Sequence, residues 1–466
     1  MKILYMGGGF VGACSAAVSA DSGHEVLVFD IDEHRVKKLN TDDRDVIQSC
    51  LHEDGLAELL IRNRSRISFV SDIKIVEKFI SDVEVVFMCL PTPEKDGAAG
   101  ETDLSYYEAA VDLIGRPLAN RNNGKQSVRV VIVNKSTVPV RMIDYTEELF
   151  SEHGVKNFGI VSNPEFLVEG AAIEGSVHPD RVVVGANLPE DFLIMRKVYQ
   201  RFVNSSVVKY LEVNPHEAAS AKLLANFILF SKIVTTFDVV GRVCEYFPNL
   251  RYEEVRKILV SEPRIGAWGL YDSLFAGGSC FIKDAGSLAH QLENAGARAS
   301  LVRGILESNV FQLDHFFGRA ETEAGLDWVG RTVAMFGVAF KQGTNDIRNS
   351  GGVAVVQQLL GAGVNKVKVF DLAATEECKK YFANNPHSGR IEYCENETET
   401  LKDSSVAILC TDWPQFETLG EVFKSVVKPP YLIMDGRRII KSWYNELISL
   451  GFDIIAVGSP FMKSNK

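Results

Sequence analysis

A glycine-rich turn close to the amino terminus constrains the fold of this chain more than any other feature. The turn has the sequence GGGFVG (residues 7–12), follows a short apolar run and precedes an alanine-rich stretch. This order of strand, G-x-G-x-x-G and helix is typical of a dinucleotide-binding βαβ unit. Gly7 permits the tight turn, Gly9 lets a pyrophosphate approach the backbone, and Gly12 allows the helix to pack closely on the strand. We therefore predict a doubly wound α/β domain at the amino terminus.

An acidic residue after the second predicted strand favours NAD over NADP. The strand at residues 26–29 is followed by Asp30, and a carboxylate in this position accepts hydrogen bonds from the adenosine ribose. Asp30 would repel the 2′-phosphate of NADP, although the nearby Arg35 weakens that discrimination. NAD is therefore the predicted cofactor.

Two later strands predict where the nicotinamide half of the cofactor lies. The strand at residues 83–90 leads into the segment PTP at 91–93, and the strand at 130–133 leads into KSTVP at 135–139. In a doubly wound sheet, ligands bind beyond the carboxyl ends of the strands. Proline-stiffened turns without a ligand would explain the prolines but not their placement.

The composition limits the classes of function. A chain of 466 residues exceeds one ordinary core, so two or three domains are expected. The net charge of -11 argues against broad binding to nucleic acid or anionic membranes, both of which require a basic surface. The cysteines are scattered without a CxxC pair or a metal-ligand spacing, which indicates a reducing compartment and no metal site. No apolar stretch is expected to span a membrane, so a soluble, cytoplasmic protein is predicted.

The carboxyl-terminal third repeats the α/β pattern. Residues 332–336 form an apolar predicted strand, and the sequence KVFD at 368–371 echoes LVFD at 27–30. Because this part lacks G-x-G-x-x-G, a second NAD is not expected, and its polar loops suit phosphates or a nucleotide sugar instead. Those loops contain Lys341, Asp346, Arg348, Arg437 and Arg438. A solvated charged loop is the alternative interpretation, above all for Arg438.

Helices are predicted between the two α/β parts. Periodic apolar residues indicate a long helix at residues 217–240 and another at 299–317. The predicted fold is α/β, with two Rossmann-like doubly wound parallel-sheet domains joined by a central helical domain with a long helix. The predicted domains are residues 1–206, 207–325 and 326–466. The central helices are the predicted interface of a homodimer or higher homo-oligomer.

A cysteine in a glycine-rich turn is the strongest chemical signal. The sequence GGSCFIKD at residues 277–284 places Cys280 after a glycine pair and before Lys283. The glycines let a ligand come close, and the lysine can favour the thiolate, which is the nucleophilic form of cysteine. An inert, buried cysteine in a tight turn is the alternative.

Three other segments collect polar residues that could act with this cysteine. Lys222 and Asn226 stand at i and i+4 of the long predicted helix and therefore share a face. The sequence NPEFLVEG at residues 163–170 follows a predicted strand, and RIG at 264–266 precedes the cysteine segment.

In their order along one chain, these motifs resemble the UDP-glucose/GDP-mannose dehydrogenase family. The resemblance runs from residue 2 to about residue 445 and rests on GGGFVG, KSTVPV, NPEFLxEG, KLxAN, RIG, GGSCFxKD, FKxxTxDxR and DGRR. It implies a four-electron oxidation of a nucleotide sugar at C6, from UDP-glucose to UDP-glucuronate, with two NAD and one water.

The resemblance implies a role for each catalytic residue. Cys280 would attack the intermediate aldehyde to give a thiohemiacetal, and a second hydride transfer would leave a thioester. Glu165 would act with water during thioester hydrolysis, and Asp284 would assist near the sulfur. Lys222 would be the acid/base or electrostatic partner at the reacting oxygen, and Asn226 would donate a hydrogen bond there. The implied catalytic set is Cys280, Lys222, Glu165, Asn226, Asp284 and Thr137, the last of which would position water.

Cofactor-binding and substrate-binding residues are implied in the same way. The cofactor set is Gly7, Gly9, Phe10, Val11, Gly12, Asp30, Arg35, Leu90, Thr92, Pro93, Ser136, Thr137, Glu169, Lys283 and Arg348. The substrate set is Glu165, Phe166, Leu167, Glu169, Lys222, Asn226, Arg264, Tyr271, Ser273, Phe275, Gly277, Phe340, Lys341 and Arg437. Glu169 would lie against the nicotinamide, and Arg264 would reach the sugar pocket of the neighbouring subunit.

Departures from the family pattern leave alternatives open. Phe275 and Ala276 stand where the family usually has a glycine and an aromatic residue, and Asn349 replaces a common glutamate. A related four-electron enzyme for GDP-mannose or an N-acetylated UDP-sugar is one alternative. A two-electron β-hydroxyacid dehydrogenase is another, but it has no use for the cysteine segment as a unit. A non-catalytic nucleotide-sugar sensor is the third.

Overall fold

Two compact units make up the chain in the computed structural model. The structure describes residues 1–97, 100–121 and 129–464. The first unit contains residues 1–225 and 287–297, and the second contains 226–286 and the chain from Arg298 onward. The segment predicted as a central domain is therefore divided between the two units, and the three predicted domain boundaries stay predictions.

An eight-stranded sheet forms the first unit. Its strands are β1 (Lys2–Met6), β2 (Glu25–Phe29), β3 (Ile67–Val70), β4 (Val85–Met88), β5 (Val130–Asn134), β6 (Phe158–Ser162), β7 (Arg181–Ala186) and β8 (Lys209–Val213). The order across the sheet is β3-β2-β1-β4-β5-β6-β7-β8, and every pairing is parallel except that of β6 with β7. β4 and β5 consist of buried, mostly β-branched residues, as expected where helices cover both faces of a parallel sheet.

Helices connect these strands. They are α1 (Phe10–Asp21), α2 (Glu33–Leu39), α3 (Arg44–Leu51), α4 (Leu56–Arg62), α5 (Ile73–Phe79), α6 (Ser105–Arg121), α7 (Met142–Glu152), α8 (Ala172–Val177), α9 (Pro189–Val198), α10 (Gln200–Val203) and α11 (Pro215–Thr235). The predicted doubly wound domain is confirmed, because the strand order reverses direction from β1 to β4.

The second unit contains helices followed by a six-stranded parallel sheet. Its elements are α12 (Arg242–Tyr246), α13 (Tyr252–Val260), α14 (Phe281–Asn294), α15 (Ser300–Thr322), β9 (Thr332–Phe336), α16 (Gly351–Gly361), β10 (Lys366–Phe370), α17 (Thr375–Phe382), β11 (Ile391–Tyr393), α18 (Glu397–Leu401), β12 (Val406–Leu409), α19 (Leu419–Val426), β13 (Tyr431–Asp435), α20 (Tyr444–Leu450) and β14 (Phe452–Ala456). The strand order is β11-β10-β9-β12-β13-β14. The second predicted Rossmann-like sheet is confirmed.

The long central helix differs from its prediction. The predicted helix at 217–240 is α11, which ends at Thr235 and continues as a π-helical segment, Thr236–Gly241, into α12. The Thr236 hydroxyl donates a hydrogen bond to the carbonyl oxygen of Lys232 at 2.9 Å, the kind of local contact by which threonine perturbs a helix.

The expectation about membrane-spanning length was wrong. The continuous helical segment Pro215–Tyr246 is long and apolar enough to cross a membrane by length and composition alone. Sequence inspection missed it because Lys222 and Lys232 interrupt the apolar residues. One such helix is weak evidence for a membrane span, since the core helix of a soluble protein passes the same test.

The alternative interpretation of Arg438 as part of a solvated loop was also wrong. The side chain is buried, donates to the Val457 carbonyl oxygen at 2.8 Å and forms an ion pair with Glu253. A buried guanidinium needs such partners, so Arg438 holds β14 and α13 together in the second unit.

Candidate active site

The glycine turn has the geometry that dinucleotide binding requires. Gly7 adopts a φ of +101°, and a Cβ there would overlap the carbonyl oxygen of Cys89. A Cβ on Gly12 would overlap the carbonyl oxygen of Gly7, whereas a Cβ on Gly9 would meet nothing within 4 Å. Gly9 is the N-cap of α1, and no side chain caps the helix. The open space beside free N–H groups fits a pyrophosphate.

Asp30 supports this turn as well as the predicted ribose contact. Its carboxylate accepts a hydrogen bond from Gly8 N at 2.6 Å and forms an ion pair with Arg35 at 3.0 Å. Arg35 also pairs with Asp32 at 3.4 Å. Because two carboxylates surround the Arg35 guanidinium, its charge offers little to a 2′-phosphate, which fits NAD.

The two loops predicted near the nicotinamide lie together. The Thr92 hydroxyl donates to the Thr137 carbonyl oxygen at 2.9 Å, and the Ser136 hydroxyl donates to the Leu90 carbonyl oxygen at 2.7 Å. These bonds join the loops after β4 and β5, as expected from neighbouring parallel strands. The cofactor contacts of these residues and the water-positioning role of Thr137 stay predictions.

Lys222 and Glu165 meet although they lie far apart in the sequence. The Lys222 ammonium is 3.1 Å from a carboxylate oxygen of Glu165, and both side chains are at most 10% exposed. The other Glu165 oxygen accepts from Leu167 N at 2.5 Å, and the ammonium lies 5.3 Å from the Phe166 ring. A buried acid and base in contact can exchange a proton with a bound substrate.

A buried polar cluster beside this pair was not predicted. Lys135 donates to Asn163 Oδ1 at 3.0 Å, and the Tyr199 hydroxyl donates to the same oxygen at 2.5 Å. Burial lowers the pKa of Lys135. Lys135, Asn163 and Glu165 contribute to the lining of a cavity of about 330 Å³ in the first unit. The motifs KSTVPV and NPEFL contain Lys135 and Asn163, so their polar residues were the available signal.

Glu53 anchors the end of the NPEFLVEG segment. Its buried carboxylate accepts from Gly170 N at 2.6 Å and from Ala172 N at 2.9 Å. Gly170 adopts a φ of +85°, so the chain turns sharply between Glu169 and α8. Sequence analysis missed Glu53 because nothing local distinguishes it from a solvated glutamate.

Cys280 stands exposed at the start of α14. Its carbonyl oxygen accepts the first helical hydrogen bond, from Asp284 N at 2.8 Å, and its sulfur lies 3.6 Å from the Ser279 hydroxyl. Free N–H groups and the dipole at a helix start stabilise negative charge. The inert, buried alternative for Cys280 was wrong, because the residue is exposed.

Asp284 connects the cysteine helix to Asn226 within the second unit. The carboxylate is 1% exposed and accepts from Asn226 Nδ2 at 2.6 Å and from Lys283 Nζ at 2.7 Å. Lys283 is therefore ion-paired with Asp284, which weakens its predicted support of a Cys280 thiolate. The second N–H of the Asn226 amide is the group suited to the predicted oxygen contact.

The predicted nucleotide-sugar residues of the second unit gather where its strands end. Arg437, after β13, donates to the carbonyl oxygens of Cys410 at 2.9 Å and Phe340 at 2.8 Å. Lys341 lies 5.7 Å from the Phe340 ring. Arg348 forms an ion pair with Asp346. Their roles stay predictions, and Arg437 also holds the loop after β9.

The remaining substrate candidates lie before the cysteine. The Arg264 side chain is 88% exposed and pairs with Glu262 at 2.8 Å. Tyr271 packs edge-on against Trp268. The buried Ser273 hydroxyl bonds to both the carbonyl and the N–H of Phe275, so it shapes the loop as well as any pocket.

Family models match all three parts of the chain. The UDP-glucose/GDP-mannose dehydrogenase family matches with its NAD binding domain at residues 1–203, its central domain at 216–310 and its UDP binding domain at 334–442. The predicted resemblance and the predicted NAD cofactor are thereby confirmed.

Individual relatives match over nearly the whole length. The chain is 31% identical over 449 residues to the UDP-glucose 6-dehydrogenase AglM of Haloferax volcanii, covering 94% of this chain and 97% of that protein. It is 30% identical to the UDP-glucose 6-dehydrogenase TuaD of Bacillus subtilis, covering 100% of this chain and 95% of that one. A solved UDP-glucose dehydrogenase from Pyrobaculum islandicum has a TM-score of 0.82 and 29% identity, covering 95% of each chain.

Alanine substitutions separate the two functions of the glycine turn. Gly9→Ala should keep the thermal midpoint, because its Cβ meets open space, but should weaken NAD binding at least about tenfold by filling the space for pyrophosphate. Gly12→Ala should destabilise the fold by about 1–3 kcal/mol through overpacking. Thermal unfolding without NAD and calorimetric titration with NAD measure the two effects. Unchanged NAD affinity in Gly9→Ala would show that the pyrophosphate lies elsewhere.

Proposed function

Because the chain belongs to the UDP-glucose/GDP-mannose dehydrogenase family, we propose that it oxidises UDP-glucose to UDP-glucuronate in two NAD-dependent steps through a covalent bond to Cys280. The observation that carries this proposal is an exposed thiol at the start of α14, next to the buried Asn226–Asp284 hydrogen bond. The relatives named UDP-glucose 6-dehydrogenase support the choice of sugar.

The first oxidation needs a group that takes the hydroxyl proton from C6. The Lys222–Glu165 pair is suited to this task, because the two groups share a contact at 3.1 Å away from bulk water. Bound NAD accepts the hydride in each oxidation, first from the alcohol carbon and later from the thiohemiacetal carbon, which leaves a thioester. The Leu167 N–H holds the carboxylate of Glu165 in place.

The second oxidation requires covalent capture, because an aldehyde gives up a hydride readily only after a nucleophile has added. The Cys280 sulfur forms a bond to the aldehyde carbon, and the carbonyl oxygen takes up a proton to give the thiohemiacetal. The second amide N–H of Asn226 can donate to the reacting oxygen while Asp284 holds the first. The aldehyde stays in place between the two steps.

Thioester hydrolysis returns the free enzyme. Water adds to the thioester carbon, the C–S bond breaks, and the sulfur leaves as a thiol after it regains a proton. We assign the transfer of the water proton to Glu165 and the positioning of the water to Thr137, whose loop is held by the Thr92 hydroxyl. Atoms balance with one water consumed for each carboxylate formed.

Counting NADH tests the four-electron reaction. We expect two NADH for each UDP-glucose consumed, and UDP-glucuronate as the product by mass spectrometry. Cys280→Ser should lower the formation of UDP-glucuronate at least about a thousandfold while binding UDP-glucose with little change in affinity. Cys50→Ser, at another cysteine that is not fully buried, is the matched control. One NADH for each substrate would refute the four-electron reaction, and full activity of Cys280→Ser would refute the nucleophile.

A comparison of substrates tests the choice of sugar. Initial rates with UDP-glucose, GDP-mannose and two N-acetylated UDP-hexoses should give a kcat/KM for UDP-glucose that is at least about tenfold higher than for the others. The UDP binding domain of the family model supports a uridine nucleotide. A preference for GDP-mannose or for an acetamido sugar would replace UDP-glucose in the proposal.

We further propose that the enzyme is a homodimer or a higher homo-oligomer paired through its helical segment. Exposed apolar side chains occur on several of its helices, and such patches mark association surfaces. Within the second unit these are Ile228, Val239, Val243, Val310 and Phe311. Arg264, exposed on the loop after α13, is proposed to enter the active site of the partner subunit.

Subunit mixing tests the role of Arg264. Arg264→Ala and Cys280→Ser chains, co-expressed with different affinity tags and purified as heterodimers, should regain about half of the wild-type activity because one site then has both residues. Each homodimeric variant should be nearly inactive. Heterodimers without activity would place Arg264 in the site of its own chain, and a monomer by light scattering would refute the interface.

A cytoplasmic location is also proposed. All of the cysteines are free thiols in the structure, and free thiols persist in reducing compartments. The location stays a proposal that cell fractionation can test.

A further inference from the structure

The loop before Cys280 fits into a cleft that glycines leave open in the second unit. A Cβ on Gly436 would overlap the side chain of Leu274, and a Cβ on Gly351 would lie 3.1 Å from the same side chain. Leu274 is buried. It therefore packs between the start of α16 and the turn after β13, which anchors the amino-terminal end of the loop.

Asn309 holds the next part of the loop from one side. This buried residue of α15 accepts a hydrogen bond from Ala276 N at 2.9 Å and donates one to the Ala276 carbonyl oxygen at 3.1 Å. The side-chain amide thus satisfies both backbone groups of Ala276, as a neighbouring strand would. A buried pair of this kind leaves the loop little freedom.

Asn349 holds the loop from the opposite direction along the chain. Its side-chain amide donates to the Gly278 carbonyl oxygen at 3.1 Å, and Gly278 N donates to the Arg348 carbonyl oxygen at 3.2 Å. A Cβ on Gly277 would overlap the carbonyl oxygen of Asn349. Asn349 has a φ of +49°, a conformation that asparagine tolerates better than most residues. Both glycines before the cysteine are therefore in contact with residues 348–349.

The same loop touches the predicted nucleotide-sugar site. A Cβ on Gly278 would lie 2.9 Å from the Phe340 ring, and Arg437 donates to the Phe340 carbonyl oxygen at 2.8 Å. Phe340 N donates to the Asp346 carbonyl oxygen at 3.0 Å. The segment that carries Asn349 is thus continuous with the residues predicted to contact the substrate.

We propose that Asn309 and Asn349 are positioning residues that hold the sulfur of Cys280 at the aldehyde carbon, so that they act on the second oxidation and not on the first. The inference rests on the proposed covalent function of Cys280. Removal of a hydride from the alcohol needs only a base and the bound cofactor, whereas addition of sulfur to the aldehyde needs the loop in one place. A displacement of about 1 Å in a reacting group can cost about a hundredfold in rate.

Asn349 gives the sharper test, because its side chain is exposed and its substitution should leave the fold intact. Asn349→Asp replaces the donor with a carboxylate that repels the Gly278 carbonyl oxygen. Asn349→Gly removes the hydrogen bond but keeps the positive φ without strain. Asn345→Asp makes the same charge change on the same loop and is the matched control.

The experiment is a single turnover with enzyme and NAD in excess over UDP-glucose, in which NADH forms in two phases. In Asn349→Asp the second phase should slow by about 10- to 100-fold and the first by less than about threefold, with free aldehyde captured by a hydrazine reagent. Asn349→Gly should show a smaller slowing of the second phase. Asn345→Asp should match the wild type. The KM for UDP-glucose and the thermal midpoint should change little, which a merely structural role would not predict.

Two outcomes would overturn the inference. Unchanged phases in Asn349→Asp, with an inactive Cys280→Ser, would leave the proposed function standing and remove Asn349 from it. Equal slowing of both phases would show a general loss of structure. Full activity in Cys280→Ser would instead refute the proposed function itself. Asn309→Asp keeps the acceptor for Ala276 N and loses the donor, so its soluble form should slow the second phase in the same way, and equal slowing of both phases there would exclude Asn309.

Discussion

Close approach between backbone segments, which only glycine allows, is the constraint on which both units depend. In the first unit, a Cβ on Gly7 would overlap the chain after β4, and one on Gly12 would overlap Gly7 itself. These contacts draw β1, β4 and α1 together, so that the free N–H groups of α1 face the open space at Gly9. Affinity for a pyrophosphate follows from this packing, because the same glycines that allow the approach also leave room for the ligand.

The second unit repeats this turn without the glycine motif. Gly337 follows β9 with a φ of +89°, and a Cβ on Gly352 would overlap the Gly337 carbonyl oxygen. Asp371, after β10, accepts from Val338 N at 2.7 Å, as Asp30 accepts a backbone N–H in the first unit. The carboxylate and two glycines therefore recur in the same structural places. What differs is the intervening side chains, which fits a second ligand that is not another NAD.

Buried charges are paired wherever the proposed chemistry needs them. Asp284 is 1% exposed and is met by an amide and an ammonium, and Glu165 is met by Lys222. Removing an ion from water costs several kcal/mol unless a partner compensates. These side chains therefore stabilise the structure as well as acting on the substrate. Loss of one partner leaves the other charge buried, so activity and stability must be measured together for substitutions at these positions.

The sequence by itself determined the two parallel α/β sheets, the NAD cofactor and the types of reactive group, because local periodicity and short motifs encode them. Only the tertiary structure decided that Lys222 meets Glu165, that Lys283 is paired with Asp284, and that Cys280 is exposed. Asn309 had no signal in its own helix, since its partner is a distant backbone. Hydrogen bonds and ion pairs act over a few ångströms in space, and distance along the chain does not determine which groups come that close.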